Sequence, residues 1–200
     1  MNGSQEGVSL QENDKNIVRK KILKIRDDMP FEERMHKSRE IMDKFLHTEL
    51  YRKCDRVFCY ISFRSEVDTR ELLEKMIQDG KRVCVPRVEG REMMFYEISG
   101  LADCERGSYG ILEPLKGRKP VLISETMDKN HTKDLMIVPG SVFSVKKERM
   151  GYGGGYYDRF LEKNPMCTVG FFFDCQKTDM LPCEQYDKKL SYILTETMFL

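Results

Sequence analysis

No run of apolar residues in this chain approaches the length of a membrane span, and its opening stretch, MNGSQEGVSLQENDKN, holds no hydrophobic signal core. The expected location is therefore cytoplasmic, with no membrane partner. Histidine is scarce: His36, His47 and His131 are all there is. Two of them, His36 and His47, lie in a charged helical segment and are expected at the solvated surface. Little is left for a Ser-His-Asp triad or a histidine metal site. The seven cysteines, Cys54, Cys59, Cys84, Cys104, Cys167, Cys175 and Cys183, are odd in number and form no CxxC pair. That pattern indicates neither a disulfide framework nor a zinc site, and free thiols fit a reducing compartment. A formal net charge of +1 removes any bulk electrostatic case for nucleic acid or acidic membranes. Internal repeats, low-complexity tracts and interdomain linkers are also missing.

What remains is a soluble globular composition, 40% hydrophobic and 34% charged over 200 residues, enough for one sizeable core. Residues 1–14 are polar and aperiodic and are expected to form a disordered tail, with a single domain over 15–200. In KNIVRKKILKIRDD, Val18, Ile22 and Ile25 share one helical stripe. Pro30 with Glu32 and Glu33 suits a second helix start, whose buried face carries Met35, Met42, Phe45 and Leu46. RVFCYISF (56–63) reads as a buried strand. Asp68 and Glu71 then have capping-box spacing for a helix bearing Leu72, Leu73, Met76 and Ile77. Further strands are expected in RVCVPRV, MMFYEI (93–98), DLMIVPG (134–140), CTVGFFF (167–173) and SYILTET, with a short helix in YYDRFLEK. Strands alternating with helices predict a layered α/β domain with a mostly parallel, Rossmann-like sheet flanked by helices. Residues 99–133 are the expected excursion from that sheet.

The least ordinary stretch is RMGYGGGYYDRFL, residues 149–161. Consecutive glycines let peptide N–H groups converge, because no Cβ blocks the approach and positive φ costs little. A loop of that kind between a buried strand and a helix can form an anion site at the helix N-terminus. It matches neither GxGxxG, since Tyr156 stands where the last glycine belongs, nor the Walker pattern, since no Gly-Lys-Ser/Thr occurs. On glycines alone, a structural turn and a phosphate site are evenly matched. The flanks favour phosphate: Arg149 and Lys146-Lys147 bring positive charge, and Asp158 offers a hard oxygen for Mg²⁺.

The segment VPGSVFSVKKERMGYGGGYYDRFL resembles the signature of the 5-formyltetrahydrofolate cyclo-ligases, also called methenyltetrahydrofolate synthetases. The resemblance continues, in order, through DKNIVRKKI, YISFRSEVDT, YGILEP and LPCEQYDKKLSYILTE, and so spans residues 15–197. Two positions depart from the family pattern: Ser144 replaces its Asp and Lys147 its Gly, so the turn before the glycines is expected to differ.

The resemblance implies an enzyme that uses ATP and Mg²⁺ to cyclise 5-formyltetrahydrofolate to 5,10-methenyltetrahydrofolate, releasing ADP and phosphate. The implied intermediate is an iminium phosphate, formed when the formyl oxygen takes up the γ-phosphoryl group. By that resemblance, Lys15, Arg19 and Arg149, the glycines Gly151, Gly153, Gly154 and Gly155, and the tyrosines Tyr152, Tyr156 and Tyr157 surround the ATP. Lys15 and Arg149 are the implied catalytic cations. Ile61, Glu66, Tyr109, Tyr152 and Gly153 face the folate; Asp158 and Asp187 hold the metal. Each residue also has a plainer reading. Taken singly, the basic helix, the Glu before a helix and the turn Asp are ordinary surface features, and the loop aromatic fills a core edge. The implied partner is a small molecule, folate or its polyglutamylated form, bound by a monomer without nucleic acid. A silent cyclo-ligase-like module that binds nucleotide or RNA is the alternative, and Lys15, Glu66 and Asp158 are residues such a module could lose without unfolding. A phosphotransferase acting on another small molecule is compatible with the loop but leaves the Glu66 and Tyr109 matches without purpose.

Overall fold

Apolar runs and amphipathic stretches alternate along the chain, and the computed structural model, which describes residues 4–107, 110–123, 133–179, 181 and 188–200, resolves them into strands and helices. Helices α1 (Ser4–Asp27), α2 (Phe31–Leu46) and the short α3 (Glu49–Lys53) precede strand β1 (Arg56–Cys59). Helix α4 (Arg70–Gln78) leads into the hairpin β2 (Arg82–Glu89) and β3 (Glu92–Ile98). Strands β4 (Cys104–Arg106) and β5 (Leu112–Pro114) form a ribbon of their own, outside the main sheet, as expected of the 99–133 region. After β6 (Asp134–Val138) a second ribbon, β7 (Val142–Phe143) with β8 (Arg149–Met150), leads to α5 (Tyr156–Lys163), β9 (Cys167–Phe171) and β10 (Tyr192–Leu194).

The main sheet runs β10-β9-β6-β1-β2-β3; every pairing is parallel except β2 with β3. The α/β class is as expected, with one antiparallel edge strand. Side chains alternate across it. Val57, Cys59, Leu135 and Ile137 pack under Ile41, Phe45, Leu72 and Met76 from α2 and α4. Phe58, Met136 and Val138 point the other way, toward Phe95, Leu161 and Phe160. Phe160 of α5 sits 4.8 Å from Phe95 between ring centroids, so that helix is held by aromatic packing. Burying each such ring stabilises the fold by about 1.5–3 kcal/mol. Arg56 pairs with Asp134 directly across the first β1–β6 register position, Nε to Oδ1 at 2.9 Å, which fixes the two central strands against slippage.

Several expectations need correcting. Helix α1 begins at Ser4, so much of the stretch expected as a tail contributes backbone to a helix. On its buried stripe Val18 and Ile22 are half-buried, but Ile25 is 45% exposed and its neighbour Arg26 is 1% exposed. The Asp68–Glu71 capping box does not form. Thr69 is the cap position of α4; Asp68 Oδ1 accepts the Arg70 amide, and Glu71 pairs with Arg39 instead of reaching back. The helix does stop at Asp79-Gly80, where Gly80 takes φ +78° and its amide bonds the Ile77 carbonyl. Helix α3 and the β7–β8 ribbon fall in segments read without regular structure. Strands of two residues carry no period to read.

Candidate active site

The strand order turns between β1 and β6, the two central parallel strands, and their carboxyl ends open into a cleft of about 1030 Å³. Such a switch point is where open α/β sheets bind ligands. Tyr60 and Ile61 follow β1 into its floor, and Pro139 follows β6. Lys15 and Arg19 of α1 line one wall, while Pro86, Val88 and Met93 of the β2–β3 hairpin line another. The glycine loop 151–155 and the start of α5 close the end.

The loop adopts the backbone its glycines permit. Gly153 has φ +101°, and Gly155, the cap of α5, sits in the left-handed region at φ +62°. At Gly154 the constraint is space: a Cβ there would lie 2.6 Å from the Tyr156 ring. Three arginines tie the loop down. Arg19 donates from Nε to the Gly151 carbonyl at 2.8 Å, and Arg159 donates to the Gly154 carbonyl at 2.8 Å and to Arg91. Arg149, 6% exposed, donates to Asp158 Oδ1 at 2.9 Å, and Asp158 also accepts the Lys188 amide at 3.2 Å. The Arg149 Nε is buried without a hydrogen-bond partner among the described residues. A buried, unpaired guanidinium N–H beside a glycine loop is suited to receive an anion.

The cleft also holds Glu66, 8% exposed, whose Oε2 accepts the Phe63 amide at 2.9 Å. Burial pushes its pKa up, against the lowering effects of that amide, of Arg26 and of Tyr152. Tyr152 leaves its ring half exposed, yet its hydroxyl turns inward onto Arg26 at 2.6 Å and sits beside Glu66; burial raises it to about 12. Tyr157 is raised well above its ordinary value by burial, then by Glu66.

Lys15, Arg19, Ile61, Glu66, Arg149, Gly151, Tyr152, Gly153, Gly154, Gly155, Tyr156, Tyr157 and Asp158 thus all line one cleft, from three separate parts of the chain. Tyr109 and Asp187 lie outside the described residues. Lys146 and Lys147 do not join them. Both sit at the β7–β8 turn, Lys147 reaching the Ser191 carbonyl, and the charge beside the loop comes from Arg19, Arg149 and Arg159 instead. Sequence reasoning missed Arg26, the β2–β3 wall and Arg159. Only Arg159 left a signal, since its four-residue distance from Gly155 places it one helical turn below the loop.

The turn ahead of the glycines is built on Ser144 and Lys147. Ser144 Oγ accepts the Lys146 amide at 3.3 Å and donates to Glu148 at 2.8 Å, so the hydroxyl closes the turn. Lys147 adopts φ +64°, the left-handed geometry that glycine favours.

Among known proteins, the 5-formyltetrahydrofolate cyclo-ligase family model matches residues 11–196. The 5-formyltetrahydrofolate cyclo-ligase of Haemophilus influenzae is 26% identical over 183 residues, 88% of this chain and 95% of its own length. That of Escherichia coli K12 is 30% identical over 145 residues, 70% of this chain and 76% of its own. The fold superposes on the 5,10-methenyltetrahydrofolate synthetase of Aquifex aeolicus with a TM-score of 0.79 at 29% identity, covering 92% of this chain and 91% of that one. A synthetase structure from Mycoplasma pneumoniae gives 0.69 at 23% identity, a likeness of fold, over 92% and 99%. With the family match running through the cleft residues and almost the whole sheet, the chain belongs to the 5-formyltetrahydrofolate cyclo-ligase family.

Proposed function

We propose that this protein catalyses the ATP- and Mg²⁺-dependent cyclisation of 5-formyltetrahydrofolate to 5,10-methenyltetrahydrofolate, acting as a cytoplasmic monomer with a single domain over 15–200. The observation that carries the reading is the gathering of a glycine loop, three arginines and a buried carboxylate in one cleft. That gathering supports a phosphate site and a pterin site side by side in one space.

A formamide is a poor electrophile, and its oxygen is a poor leaving group. Attack of the formyl oxygen on the γ-phosphorus, with ADP departing, turns that oxygen into a phosphate ester. The folate N10 then bonds the formyl carbon and gives up its proton; the C–O bond breaks and phosphate leaves. No protein nucleophile is required, so the chain acts by positioning and charge neutralisation. Lys15, Arg19 and Arg149, with loop amides from Gly151 to Gly155, hold the phosphates, and Tyr156 and Tyr157 wall them. Glu66 accepts hydrogen bonds from the pterin amino edge, with Ile61, Tyr109, Tyr152 and Gly153 around the ring.

The donor set fits Mg²⁺. Among the described residues no group of three metal-ligating side chains occurs, and Mg²⁺ is commonly held by one or two carboxylates plus substrate phosphates. Asp158 supplies a carboxylate in the cleft, the family resemblance assigns a second to Asp187, and the ion would offset charge on the phosphates. The direct test incubates the purified protein with 5-formyltetrahydrofolate, ATP and Mg²⁺ and follows the methenyl absorbance. Product that requires all three supports the reading; none at any nucleotide or metal concentration overturns it.

A further inference from the structure

Arg26 is the most deeply buried cation of the described chain, at 1% exposure, and neither the phosphate site nor the pterin site accounts for it. Its three nitrogens each take a different segment. Nε donates to Ser65 Oγ at 3.0 Å in the loop that carries Glu66; Nη1 donates to the Gly140 carbonyl at 3.3 Å beyond β6; Nη2 donates to Tyr152 in the glycine loop. Ser65 Oγ in turn donates to Asp27. One side chain of α1 therefore joins the loop that carries Glu66 to the glycine loop. A guanidinium buried this fully has no stabilising reason of its own, since an apolar residue would pack there at lower desolvation cost.

We propose that Arg26 is a positioning residue that holds the Tyr152 hydroxyl against Glu66 and keeps that carboxylate ionised and aimed at the pterin. The proposal rests on the reading of Glu66 as the pterin contact. The groups facing Glu66 are Tyr60, Tyr152, Tyr157 and Arg26. Three are neutral phenols at neutral pH, so Arg26 is the one positive charge among them. Glu66 burial favours the protonated acid, which could no longer accept from both donors of an amino-pyrimidinone edge. Arg26 opposes that protonation through the field of its charge and through the hydroxyl it orients.

The geometry also links the two loops. Tyr152 belongs to the loop that would close on phosphates, and Glu66 to the loop that would hold the pterin. Any shift of the glycine loop on nucleotide binding moves the hydroxyl that Arg26 holds beside Glu66.

The test uses Arg26→Met, Arg26→Lys and Tyr152→Phe in the full chain. The titration of Glu66 is followed by NMR of glutamate labelled at its carboxyl carbon, assigned by Glu66→Gln. Removing the charge or the hydroxyl is expected to raise the Glu66 pKa further, with Arg26→Lys closer to wild type. In turnover, Arg26→Met and Tyr152→Phe should each raise the folate KM about tenfold, the loss expected of one charge-assisted hydrogen bond. The limiting kcat below the Glu66 pKa should fall for every form, and the acid limb should move upward in the variants. The double variant should lose less than the product of the single losses. Should Arg26→Met fail to fold, Tyr152→Phe, whose ring is half exposed, still reports the link. An unmoved Glu66 titration with an unmoved folate KM in Tyr152→Phe overturns the proposal. Absence of methenyl product from wild type would overturn the functional reading alone, because the Glu66 titration needs no turnover.

Discussion

Arg149 and Asp158 bracket the glycine loop and bond to each other across it at 2.9 Å, so β8 and the first turn of α5 are closed into a ring. The pair thus does two jobs. It sets the loop's span, and it places a cation beside the carboxylate that the functional reading assigns to Mg²⁺.

Separating those jobs requires two substitutions. Asp158→Asn keeps the size of the side chain and an oxygen for Arg149, so it should fold normally. Its expected signature is a rise of about tenfold or more in the Mg²⁺ needed for half-maximal rate. Arg149→Ala removes the cation with the unpaired Nε and should lower kcat about a hundredfold, as loss of one charge-stabilising donor does. Equal Mg²⁺ requirements in wild type and Asp158→Asn would place the metal elsewhere.

Glu66 offers a prediction about stability rather than rate. Its pKa is raised by burial in the folded state, so the folded chain keeps that proton to higher pH than the unfolded chain does. Stability is then undiminished below the ordinary carboxylate range and falls as pH rises through the interval up to the raised value. Glu66→Gln accepts the same Phe63 amide without a charge. Thermal melts without ligand should therefore show Glu66→Gln more stable than wild type at pH 8, with the gap closing below pH 4. The same variant should bind 5-formyltetrahydrofolate more weakly. Greater stability bought with weaker binding marks a residue kept for its ligand.

The strands of the sheet were legible because Val57, Phe58, Met136 and Ile137 sit in short apolar runs buried on both faces. The glycine loop was legible because its composition is costly anywhere a ligand or tight turn does not need it. Arg26 was not, because periodicity assigns a buried face by hydrophobicity, and the structure buries a guanidinium where Ile25 was expected. Its partners Ser65, Gly140 and Tyr152 lie far off in sequence, so only the assembled fold reveals them. Lys146 and Lys147 show the opposite error: closeness along the chain suggested a role in the loop, yet the β7–β8 turn carries both away from the cleft.

Within the loop, three glycines should respond differently to alanine. Gly155→Ala forces a β-carbon into the left-handed region and against Arg159, and should cost about 1 kcal/mol or more of stability. Gly154→Ala has no positive φ to pay for but meets the Tyr156 ring, so the ring must swing, and the ATP KM should rise with little loss of stability. Gly151→Ala meets nothing closer than Arg149 at 3.7 Å and should be the mildest. Chemical melts and ATP saturation curves on the three variants check the order. A Gly151 variant that loses as much as the other two would show that the backbone there moves on binding.

The turn at Ser144–Lys147 yields the last prediction, and it concerns the two departures from the family pattern. Lys147 holds φ +64° and contributes an exposed bond from Nζ to the Ser191 carbonyl. Lys147→Gly removes the left-handed strain at the expense of that bond, and the net should be a gain of about 0.5–1 kcal/mol. Ser144 is fully buried and donates to Glu148, whose pKa is lowered first by that hydrogen bond. Restoring the family Asp by Ser144→Asp would bury a second carboxylate against Glu148, whose own charge is already paired with Lys189 at 3.1 Å, so this variant should be destabilised at neutral pH. Adding Glu148→Asn should recover most of the loss, because the amide can donate to the new carboxylate. If Ser144→Asp alone were as stable as wild type, Glu148 would have to leave the turn, and its present bond would not be what closes it.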